Sequence, residues 1–61
     1  MLIRIKDAAK RFKNQAALAA VIGITRQAIS NRLRRSEYLS DHQALRLAKR
    51  HPVICKELEI K

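Results

Sequence analysis

The sequence predicts an all-α domain of four to five helices, and three observations carry that prediction. The apolar residues are mostly Ala, Leu and Ile, with Phe12 and Tyr38 the two aromatics. An Ala-rich amphipathic run, residues 16–22, stops at the single glycine, Gly23, and a second helical run restarts after Thr25. Residues 41–50 repeat the pattern, with Ala44, Leu45 and Ala48 on one side and Arg46, Lys49 and Arg50 on the other. Sixty-one residues without a Gly/Ser linker or an internal repeat make one domain, residues 1–61. A chain this short buries only about 60% of its unfolded surface, so modest stability is expected.

Taken in order, residues 3–6 alternate polar and apolar as a strand does, and residues 7–12 form a first helix with Ala8, Ala9 and Phe12 near one face. Lys13 and Asn14 end it, and Asn14 is placed to cap the second helix. Ala19 is small enough to let that helix approach its successor. Gly23 can adopt the positive φ that a tight turn between crossed helices demands. Thr25 is a good N-cap for the third helix, which fades through Arg34 and Arg35. Ile24, Ala28, Ile29 and Leu33 fall at helical spacing on one inward face, while Arg26, Gln27, Ser30 and Asn31 point outward.

Residues 36–40 read as a loop, and Ser40 or Asp41 caps the fourth helix. Lys49 and Arg50 lie in its last turn, where the helix dipole favours positive charge. Pro52 permits a fifth helical turn over 53–58, yet residues 56–61 also alternate as a strand would. The all-helical form is the leading expectation. The alternative is a mainly α domain whose termini pair as a small β-ribbon, with Arg4 and Lys6 beside Glu57 and Glu59.

Charge narrows the function. The net charge is +9, and residues 1–35 carry nine basic side chains against one acid, Asp7. Residues 36–61 carry five bases against four acids. The half with the paired helices therefore holds nearly all the excess, which implies a polyanionic partner. The single cysteine, Cys55, permits no internal disulfide and fits a reducing compartment. Beside Val53 and Ile54 it reads as a small buried hydrophobe. No apolar run approaches the roughly 20 residues of a membrane span, and the apolar start is too short for a signal peptide. His42 and His51 lack the spacing of a metal site, and no acid–base pair or activated nucleophile is visible. An enzyme, a cofactor and a small-molecule substrate are therefore not expected.

Two helices joined by a tight turn, the second with one packing face and one hydrogen-bonding face, form a helix-turn-helix. Arg can pair bidentately with guanine, and Gln or Asn with adenine, so Arg26, Gln27, Ser30 and Asn31 are the candidate base readers. Arg32, Arg34 and Arg35 are candidate phosphate clamps, which set register without reading sequence.

The segment Gln15, Ala19, Gly23, Ile24, Ala28, Ile29, Ser30 and Leu33 resembles the helix-turn-helix of the phage Cro repressor family. The stretch from Ile3 to Phe12 is similar to the opening of lambda-type members. Beyond residue 35, the run from Leu39 to Leu47 looks like the all-helical branch of that family. Lys13 departs from the glycine many members carry after the Phe, and Asn14 is expected to supply the turn instead.

The resemblance implies a sequence-specific repressor of duplex DNA that occupies a pseudo-palindromic operator in the cytoplasm of a bacterial host. It also implies phosphate contacts from Gln15 and Thr25. One module of this size buries too little DNA surface for tight binding alone, so a homodimer, weak when free, is expected. The residues surplus to a small core, Val53, Ile54, Leu58 and Ile60, mark the expected dimer contact. Two other classes fit a small basic chain: an RNA-binding or ribosome-associated protein, and a phage recombination or antirepressor cofactor. The first leans on exposed aromatics for base stacking, and only Tyr38 is on offer.

Overall fold

The computed structural model describes residues 2–60. The order is β1 (Leu2–Ile3), α1 (Ile5–Arg11), α2 (Gln15–Val21), α3 (Arg26–Arg35), α4 (Asp41–Arg50), α5 (Pro52–Leu58) and β2 (Glu59–Ile60). The domain is mostly helical, and the terminal ribbon is present beside a full fifth helix. β1 and β2 pair antiparallel, with Leu2 opposite Ile60 and Ile3 opposite Glu59.

Side-chain caps place the helix starts. Asn14 Oδ1 accepts from the Ala17 N–H at 2.8 Å, and Thr25 Oγ1 accepts from the Ala28 N–H at 3.1 Å. Ser40 and Gln43 cap α4 reciprocally: Ser40 Oγ accepts from the Gln43 N–H at 3.2 Å, and Gln43 Oε1 accepts from the Ser40 N–H at 3.0 Å. α5 instead opens on Pro52, whose missing N–H costs nothing in a first turn.

The core is a single cluster drawn from every helix and from β1. Ile3, Ile5, Leu18, Ile22, Ile29 and Leu47 are fully buried, and Ala8, Ala19, Ala44, Leu39 and Cys55 fill the gaps between them. Each large side chain contributes about 1.5–3 kcal/mol of burial. The loop over 36–40 is pinned, not loose. The Ile5 N–H donates to Glu37 O at 2.8 Å and the Leu39 N–H to Ile3 O at 2.9 Å, so the segment runs antiparallel to residues 3–5.

Four local expectations change. α1 begins at Ile5, because Ile5 is needed in the core and the strand ends at Ile3. In α4 the inward leucine is Leu47, fully buried, while Leu45 is 49% exposed. The termini do pair, but without the expected charge partners: Arg4 Nε lies 3.8 Å from Glu37, and Arg11 reaches Glu57 at 2.9 Å. Both pairs are solvent-exposed and contribute little to stability. After Phe12 the left-handed residue is Lys13 itself, at φ 85°, whereas Asn14 is extended and serves only as a cap.

Candidate nucleic-acid interface

The turn between α2 and α3 is a Schellman closure built on Gly23. The Ile24 N–H donates to Ala19 O at 2.9 Å and the Gly23 N–H to Ala20 O at 3.3 Å, while Gly23 takes φ 72°. Arg46, from α4, donates through Nη1 to Ile22 O at 3.4 Å and braces the same turn. Ala19, 2% exposed, lies in the core beneath it, with Ile22 and Ile29. α2 and α3 are thereby held as a rigid pair.

That pairing turns one face of α3 outward. Arg26, Gln27, Ser30, Asn31 and Arg34 line one shallow concavity. At about 3.6 residues per turn these positions form one side of the helix, with Gln27, Asn31 and Arg34 turned away from Ile29 and Arg26 and Ser30 at its flank. Arg26, Gln27, Asn31 and Arg34 are exposed, and Ser30 is half-buried. Ser30 Oγ donates to Gln15 Oε1 at 3.2 Å, which links the reading face of α3 to the first residue of α2. The four expected base readers thus stand together, joined by Arg34.

The other expected contacts divide. Gln15 is half-buried and tied to Ser30, so it is not a plain solvent-facing residue. Thr25 caps α3 from an exposed position at the edge of the face. Arg35 is exposed at the last position of α3. Arg32 is half-buried. It lies on the inward side of the helix, and its Nε donates to Tyr38 O at 2.9 Å. Its Nε thereby fastens the loop over 36–40 to α3.

Sequence reasoning missed a second concavity of about 560 Å³ beside the first, lined by Lys6, Lys10, Lys13, Asn14, Gln15 and Arg26 with Ala9 and Ala16. Arg26 borders both, and no acidic side chain lines either. The available signal was the spacing of Lys6, Lys10 and Lys13, which places three cations on one side of the first helix and its exit.

Among the described residues, no group of three His, Cys, Asp or Glu could hold a metal ion. Among the same residues, no helix is long and apolar enough to cross a membrane. His51 packs its ring on Phe12, centroids 5.3 Å apart. Burial, with Glu59 nearby, pushes the Cys55 thiol up from its ordinary pKa. No family model matches the chain, and no curated protein or solved structure matches it either.

Proposed function

We propose that the chain is a sequence-specific, double-stranded DNA-binding transcriptional repressor of Cro type, acting in the cytoplasm of a bacterial host. The observation that carries this reading is the exposed face of α3, where Arg26, Gln27, Ser30, Asn31 and Arg34 meet without an acid among them. A capped helix of 10 residues braced from behind by α2 suits insertion into a major groove. Its Arg, Gln and Asn side chains offer the bidentate hydrogen bonds that distinguish guanine and adenine edges. Repression then needs no chemistry: an occupied operator blocks RNA polymerase. An RNA-binding role is less well supported, since Phe12 and Tyr38 are both half-buried and offer no open stacking platform.

The reading includes a homodimer on DNA, with recognition helices about 34 Å apart on two half-sites. One small module buries too little DNA surface for tight specific binding alone. Of the apolar residues expected at the contact, Val53 is 69% exposed, whereas Ile54, Leu58 and Ile60 are half-buried. With Leu45 and Leu2 at 49% and 48%, the exposed apolar surface is small, which fits weak pairing in free solution. Salt titration of duplex binding tests the reading. Five or six neutralised phosphates per subunit give a slope of log K against log salt of about −4.5 to −5.4. A slope near zero contradicts it.

A further inference from the structure

We propose that the concavity formed by Lys6, Lys10, Lys13, Gln15 and Arg26 is a seat for one backbone phosphodiester of duplex DNA, set beside the reading face and anchoring its register. The inference rests on the DNA-binding reading and adds to it a site that lies mainly on α1 and its exit. Four cations surround a space of about 560 Å³ that no acid lines. The oxygen of the Gln15 amide already accepts from Ser30, so what the amide has left to offer an anion is an N–H donor. Arg26 belongs to both this concavity and the reading face, which places a bound phosphate directly next to the base-reading side chains.

Local costs converge on the same place. Lys6 and Lys10 stand one turn apart on α1, where like charges repel. Lys13 holds φ 85°, a conformation a glycine adopts without strain. Lys10, in the last turn of α1, has the helix dipole in its favour, but a glycine would serve the turn at Lys13 without strain. A polyanion gains from the cation there, and strain of this kind concentrates at functional positions. Inorganic phosphate or RNA shares the same chemistry, but a seat contiguous with a groove-reading helix favours the duplex backbone.

The discriminating variant is Lys13→Gly, because fold and function are expected to move in opposite directions. Relief of strain raises Tm by about 4–8 °C. Loss of one phosphate contact flattens the salt slope by about 0.9 and weakens binding about fivefold at about 0.15 M salt. Selected and scrambled duplexes lose affinity by the same factor, since a phosphate carries no base identity. Lys10→Gln shows the same binding loss, while Lys56→Gln, on α5, leaves the slope unchanged. A scan of single methylphosphonates through the selected duplex then finds one position that weakens the wild type but not Lys10→Gln.

Unchanged slope and affinity in Lys13→Gly and Lys10→Gln, or no methylphosphonate position that separates wild type from variant, overturns the seat while leaving duplex binding intact. Absence of any Tm gain in Lys13→Gly overturns the assignment of Lys13 to it. If inorganic phosphate titrates the three lysines in NMR spectra but the duplex slope does not respond to them, the seat is a free-anion site and the proposal fails. If the wild type binds no duplex at all, the DNA reading falls first and the seat falls with it.

Discussion

Replacing Gly23 tests the joint between α2 and α3 at its most constrained point. Its φ of 72° is one an L-residue reaches only at a cost of about 1–2 kcal/mol. An added Cβ would lie 3.3 Å from Arg46 Nη1, which is tight but meets only the far end of a flexible side chain. That nitrogen donates to Ile22 O across 3.4 Å, a long bond that the arginine can surrender cheaply. The backbone therefore dominates. Alanine recovers part of the loss by restricting the unfolded chain, which leaves Gly23→Ala destabilised by about 1 kcal/mol. Gly23→Val, β-branched and less tolerant of positive φ, loses about 2 kcal/mol. For a domain of this size the first corresponds to about 4–8 °C in Tm. Thermal unfolding followed by circular dichroism reads both, in wild-type and Arg46→Ala backgrounds. The cost should agree between backgrounds to within about 0.5 kcal/mol. A neutral Gly23→Ala, or a cost that vanishes once Arg46 is removed, refutes the reasoning.

Three other outcomes follow from particular contacts. Asn14→Ala and Thr25→Ala each remove the acceptor for a first-turn N–H and should lower stability by about 1 kcal/mol in urea unfolding, with Asn14→Ser close to neutral. The Cys55 thiol, 3% exposed and raised in pKa by burial, should react with alkylating reagents at neutral pH far more slowly in the native protein than in urea. Equal rates would show that α5 does not hold Cys55 against the core. Val53→Asp should leave the monomer fold unchanged, because Val53 is exposed, but should reduce a two-protomer complex on a palindromic duplex in sedimentation. A single protomer bound to the full palindrome, with or without the substitution, would contradict the dimer.

The parts of the fold legible in the sequence are those fixed by local chemistry. Asn14, Thr25 and Ser40 announce helix starts because their side chains satisfy N–H groups that the helix itself cannot. Gly23 announces a turn because only glycine meets positive φ without strain. Features that depend on the assembled domain were illegible. Lysine carries no signal for a left-handed backbone, so Lys13 gave no warning. Leu45 and Leu47 are equally apolar, and only the positions of neighbouring helices decide which one enters the core. Strands of two residues are too short to show a period, and their pairing is set by where α5 delivers the chain. In the candidate site, the face of α3 was legible because outward polar positions follow from inward apolar ones. Arg32 was not, since its bond to Tyr38 O depends on how the loop folds back. The lysines of α1 belong to the same surface only once α1 and α2 have packed.

The most direct test of a base-reading α3 is selection of bound duplexes from a random pool, run in parallel for the wild type, Gln27→Ala and Asn31→Ala. A dimer with a base-reading α3 selects a two-fold symmetric motif with half-sites about one helical turn apart. Each variant should lose preference at one base pair per half-site, at a cost of about 1–3 kcal/mol against the wild-type sequence. Enrichment of no duplex motif, or the same motif from all three proteins, would contradict base reading by α3.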